Sequence, residues 1–75
     1  MNHAKAHFNM GFMLEHGRGT AKDPGSGLTS YIIASNLGLG ELANNTRDKL
    51  AASLSPAQVS DAEFQARVWM EKHRR

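Results

Sequence analysis

Cysteine is absent from this 75-residue chain, which excludes disulfides, thiolate metal sites and thiol nucleophiles together. Packing alone must hold the fold, and a domain of this size without such staples is marginal, so support from a partner or from more of its own chain is expected. Long apolar runs are also missing. None approaches the roughly 18 residues of a membrane span, and the opening MNHAKAHF has neither the charged nor the apolar region of a signal peptide. No membrane association is expected. If Met1 is the native start the chain is expected in the cytoplasm; if the chain is a fragment, the periplasm stays open. A strong charge of either sign is lacking too: the net charge is +2. Most of the excess sits in Lys72, His73, Arg74 and Arg75 rather than in a stripe, which argues against nucleic acid as the first partner.

What is present is the composition of a globular chain, 40% apolar and 21% charged. At this length it can build only one core. No segment alternates as a half-buried strand does, whereas three-and-four spacing recurs throughout. Asn2 is a fair N-cap, and Ala4, His7, Phe8, Gly11 and Leu14 fall on one face of a helix that runs to His16 and stops at Gly17. Met10, Phe12 and Met13 fall off that face. Asp23 and Pro24 then predict the cap and first residue of a second helix, with Leu28, Tyr31, Ile32 and Ser35 inward and Gly38 at its end. Ile33 and Leu37 lie away from that stripe. A third helix is expected from Glu41, with Leu42, Thr46, Leu50 and Leu54 as its apolar line. Ser55, Pro56 and Gln58 supply a capping box for a fourth. Val59, Ala62, Ala66, Trp69 and Met70 share one of its faces, and Ala57, Phe64 and Val68 the other. The expectation is an all-α fold of about four helices in antiparallel hairpins.

The first two helices carry a specific pattern: Ala4, Ala6, Phe8, Met10-Gly11, Leu14-Glu15, Gly17-Arg18-Gly19, Asp23, then Tyr31, Ala34 and Gly38. It resembles the Sel1-like repeat, a relative of the tetratricopeptide repeat, in register from Ala4 to Gly38 without an insertion. Leu14, Gly27, Ser30 and Ser35 depart from it, standing where that repeat favours tyrosine, a small packing alanine, tryptophan and a second alanine. Glycine at position 27 is expected to weaken the helix pair by roughly 0.5 to 1 kcal/mol relative to alanine. Arg47 to Trp69 is similar to the closing helices of some bacterial arrays. The resemblance thus implies an α-solenoid fragment from a bacterial source, residues 1–38 being the last repeat and 39–75 a capping helix pair with a basic tail. It also implies a non-enzymatic scaffold that binds a protein or peptide, with self-association into a homodimer as one form of this. A small helical nucleic-acid-binding or regulatory protein is the alternative.

Chemical motifs are few. Gly17-Arg18-Gly19 matches neither a P-loop nor a dinucleotide fingerprint, so these glycines, like Gly11, are expected to serve turning and close helix approach. His3 and His7 stand at i and i+4 but have no third ligand nearby, and no metal site or other cofactor is expected. Glu15 and His16 are adjacent, and neighbours on a helix do not face each other, so an acid–base pair is not expected. The run Arg47, Asp48, Lys49 predicts a solvated face. No serine has a nucleophile setting, and no catalytic residue is expected. The off-stripe apolar residues Met10, Phe12, Met13, Phe64 and Val68 are the candidate interface.

Overall fold

Two prolines, each preceded by a capping side chain, set the starts of two of the four helices. The computed structural model describes residues 3–73 and forms α1 (His3–His16), α2 (Pro24–Asn36), α3 (Glu41–Ala52) and α4 (Pro56–Lys72). No strand occurs among the described residues, so the fold is all-α, as the spacing predicts. The expected cap Asn2 and the tail residues Arg74 and Arg75 lie outside the described residues.

The helix ends follow local chemistry. Asp23 accepts hydrogen bonds from the Ser26 amide and hydroxyl at 3.2 and 2.8 Å. Ser55 accepts from the Gln58 amide while its own amide donates to Gln58 Oε1, the reciprocal capping box. Each cap satisfies amides that the first turn would leave orphaned, a contribution of about 1 kcal/mol. At the end of α1, Gly17 takes φ +69°, and the Arg18 amide donates back to the Met13 carbonyl at 2.9 Å. This left-handed closure turns the chain so that the Asp23 amide reaches the Leu14 carbonyl at 2.8 Å.

Helix α2 is the centre of the packing, and each of the other three helices lies mainly against it. Leu14 meets Asp23, Gly11 meets Gly27, and Phe8 meets Tyr31, so α1 descends as α2 ascends. Helix α3 is also antiparallel to α2. Its Asn44 and Arg47 bond Ser35, and its Leu50 and Ala51 join the core around Leu28 and Tyr31. Helix α4 returns parallel to α2, with Val59 and Ala62 beside Leu28 and with Trp69 and Met70 beside Leu37. A helix surrounded in this way must be apolar on several faces. Accordingly Leu28 and Tyr31 are 0% exposed, and Gly27, Ser30, Ile33 and Ala34 are buried as well.

The first turn of helix α3 differs from its expected facing. Leu42 is 62% exposed while Ala43 is fully buried. Leu50 and Leu54 nevertheless keep their expected place at the core, and Asn44 and Arg47 meet Ser35, whose hydroxyl donates to Asn44 and accepts from Arg47 at 2.9 Å. Arg47 is therefore half-buried and structural rather than part of a solvated face. Among the described residues, every buried side-chain nitrogen and oxygen has a partner.

Candidate functional site

The repeat-like positions converge between α1 and α2. Ala4, Gly11, Tyr31 and Ala34 are buried, and Phe8 and Leu14 are half-buried. Gly17 and Gly19 both carry positive φ, and Asp23 caps α2. A Cβ on Gly11 would meet the Tyr31 ring at 2.7 Å, and one on Gly27 would meet the Gly11 carbonyl oxygen at 3.0 Å and the Glu15 nitrogen at 3.2 Å. The expected weakening from glycine at position 27 is thus opposed by a steric term. The two backbones are too close for alanine unless one moves, so glycine there permits the approach.

Tyr31 donates its hydroxyl proton to Glu15 Oε1 at 2.8 Å, and the same carboxylate oxygen lies 3.5 Å from His16 Nε2. Adjacent side chains at the end of this helix do meet, contrary to expectation. Burial first, and then the hydrogen bond and charge of Glu15, push the Tyr31 phenol well above its ordinary value. The phenol therefore stays a donor, and the group holds α1 to α2. None of the three side chains lines either cleft described below.

The candidate interface residues come from two helices, α1 and α4. Met10 and Phe64 are each 52% exposed, Phe12 and Met13 are also exposed, and Val68 is half-buried. Phe12 packs on the His16 ring of its own helix, and Phe64 lies beneath the Arg67 guanidinium, 5.8 Å from its ring centre. Leu37 and Leu42 add to the exposed apolar surface.

Two clefts flank α2. The smaller, about 330 Å³, lies between α3 and α4 over Leu28 and Ile32, with Arg47, Asp48 and Glu63 at its edges. The larger, about 740 Å³, lies where the start of α1 meets the ends of α2 and α4, lined by Leu37, Trp69 and Met70. Here the histidines that spacing alone left unassigned find a place. His7 meets Trp69 edge-on at 4.6 Å between ring centres, and His73 stacks on Trp69 at 4.1 Å and 14°. His3 lines the same cleft. Among the described residues no three histidine or carboxylate side chains are grouped to hold a metal ion. Trp69 and His73 lie one turn apart, and their stacking was open to the i, i+4 rule; their meeting with His3 and His7 was not.

Burial pushes the His7 imidazole below its ordinary value of 6.5, and the nearby His3 and His73 push it the same way. The unfolded chain then binds a proton that the folded chain refuses. His7 thus adds stability that is present above about 6.5 and is lost as pH falls through its lowered folded value. Urea midpoints measured from pH 7.5 down to 5 should decline over this range, and His7→Gln should flatten the decline. An unchanged slope in the variant would remove His7 as its source.

Protein-family models, curated proteins and solved structures were compared with the chain, and none matches.

Proposed function

We propose that this chain is a non-enzymatic protein-interaction module of the Sel1-like kind that α1 and α2 resemble, and that a second copy of itself is among its partners. One observation carries the reading: six large apolar side chains, Met10, Phe12, Met13, Leu37, Leu42 and Phe64, are exposed on a 75-residue domain. Single exposed hydrophobes need no explanation, but this many on so small a surface marks contact with another chain. The domain has few reserves of its own, having no cysteine for a disulfide, and burial of such residues would stabilise it. No helix among the described residues is long and apolar enough to cross a membrane.

Sedimentation across protein concentration, at low and high salt, tests the reading. The expected result is a mass above the 8.2 kDa of one chain that survives high salt, because apolar contact is not screened. Replacing Met10 and Phe64 with glutamine should return the monomer. A monomer in both salts, together with duplex DNA binding that collapses as salt rises, would replace this reading with the nucleic-acid alternative.

A further inference from the structure

The larger cleft has a chemical polarity of its own. Its floor is aliphatic, thioether and indole: Leu37 from the end of α2, and Trp69 and Met70 from α4. One face of the indole is already covered by His73, which leaves the aliphatic part of the floor as the better contact for an incoming group. His73 leaves a nucleobase at most one indole face on which to stack, whereas Leu37 and Met70 offer apolar contact to a branched aliphatic side chain. Around the floor stand the fixed cations Arg67 and Lys72, with Glu71 the one carboxylate in the lining and His3 and His73 completing the edge. Two fixed cations against one carboxylate give the lining a positive balance. The α2 contribution, Leu37, is uncharged.

We infer that this cleft, between the first turn of α1 and the last turns of α4, docks an acidic peptide segment that carries a bulky aliphatic side chain. The aliphatic group covers Leu37 and Met70, and flanking aspartates or glutamates lie against Arg67 and Lys72. A pocket with an apolar floor and a few polar groups fixing orientation is the usual form of a binding site. The complementary charge chiefly selects the partner and speeds encounter, while the apolar anchor holds it. The inference rests on the interaction-module reading and names where and what one partner chain would bind.

Trp69 is the only tryptophan of the chain and lies in the cleft floor, so its fluorescence reports occupancy directly. The whole chain would be titrated with three short peptides that share a Leu-Leu centre, flanked by Asp and Glu, by Asn and Gln, or by Lys. The acidic peptide should shift Trp69 emission saturably, the neutral one should bind several-fold more weakly, and the lysine one should leave the emission unchanged. Arg67→Gln with Lys72→Gln alters only exposed side chains and should weaken the acidic peptide about 2- to 30-fold, the scale of two exposed ion pairs. Leu37→Gln should weaken the acidic and neutral peptides alike. Equal binding of acidic and neutral peptides, no saturable shift with any of them, or no effect of the Arg67 and Lys72 changes would each overturn the assignment. So would an oligonucleotide that binds as tightly as the acidic peptide. Sedimentation of the same samples separates the two ideas: a salt-resistant assembly without peptide binding sinks the cleft and leaves the interaction module standing.

Discussion

Tyr31→Ala is expected to destabilise the chain by roughly 3 to 5 kcal/mol, the range for deleting a buried aromatic side chain. Tyr31 has no exposed surface, touches Phe8 at 5.3 Å between ring centres, and lies across Gly11. Its removal takes away the apolar contact and also the hydrogen bond to Glu15, so α1 loses its main attachment to α2 at two points. A domain of this length has a total stability on the order of 4 to 11 kcal/mol, so the variant should be largely or wholly unfolded near the lower end of that range. Urea unfolding followed by far-ultraviolet circular dichroism measures the loss. Tyr31→Phe is the matched control: it keeps the ring and drops only the bond, and Glu15 is exposed enough for water to take over, so about 1 kcal/mol is expected. If Tyr31→Ala unfolded at the wild-type midpoint, Tyr31 could not be the element between α1 and α2.

Tyr31 also shows what could be read from the chain alone and what could not. Its inward position follows from the spacing with Leu28 and Ile32, and the helix ends follow from Asp23-Pro24, Ser55-Pro56 and Gly17, because caps and breakers act over three or four residues. Each of these is local chemistry. The partner of the Tyr31 hydroxyl lies 16 residues away on another helix, and no periodicity points to it. Helix α3 makes the same distinction from the other side. Its extent and the inward place of Leu50 and Leu54 are local, but the bonds of Asn44 and Arg47 to Ser35, a residue of α2, could not be read from the pattern of α3 alone. Apolarity favours Leu42 as the inward residue of the first turn, yet Ala43 takes that place and Leu42 is exposed. The Trp69 cleft was the least legible part. Its histidines come from opposite ends of the sequence, and only the parallel return of α4 beside α2, followed by contact with the start of α1, brings His3, His7 and His73 around one indole. Close approach of α1 and α2 lies between these cases: Gly11 hints at it, Gly27 reads from the sequence as a weakening instead, and the distances decide which substitutions the approach tolerates.

Gly11→Val tests that closeness, and is expected to cost at or above the upper end of the roughly 1 to 3 kcal/mol typical of overpacking. In an open helix a side chain at this position would help, since glycine is worse than alanine by about 0.5 to 1 kcal/mol. Here the first carbon alone would stand 2.7 Å from two carbons of the Tyr31 ring and 3.0 Å from the Gly27 carbonyl oxygen. The ring is fully buried and the oxygen belongs to backbone, so neither can swing aside into solvent. Steric cost therefore exceeds the gain in propensity. Gly25→Ala provides the opposite case within α2: a Cβ there finds only Asp23 Oδ1, at an ordinary 3.7 Å, and the change should be neutral or stabilising by up to about 1 kcal/mol. Because the obstacle at position 11 is largely the Tyr31 ring, the two large effects must be coupled. When Gly11→Val is combined with Tyr31→Ala, the added valine carbons would occupy part of the space the ring vacates. The double variant should then be less destabilised than the sum of the singles by about 0.5 to 3 kcal/mol, the scale of residues in contact. Tyr31→Leu can stand in for the alanine if the double variant is too unstable to measure. Additive losses would mean that the Gly27 carbonyl, and not the ring, sets how near α1 can come.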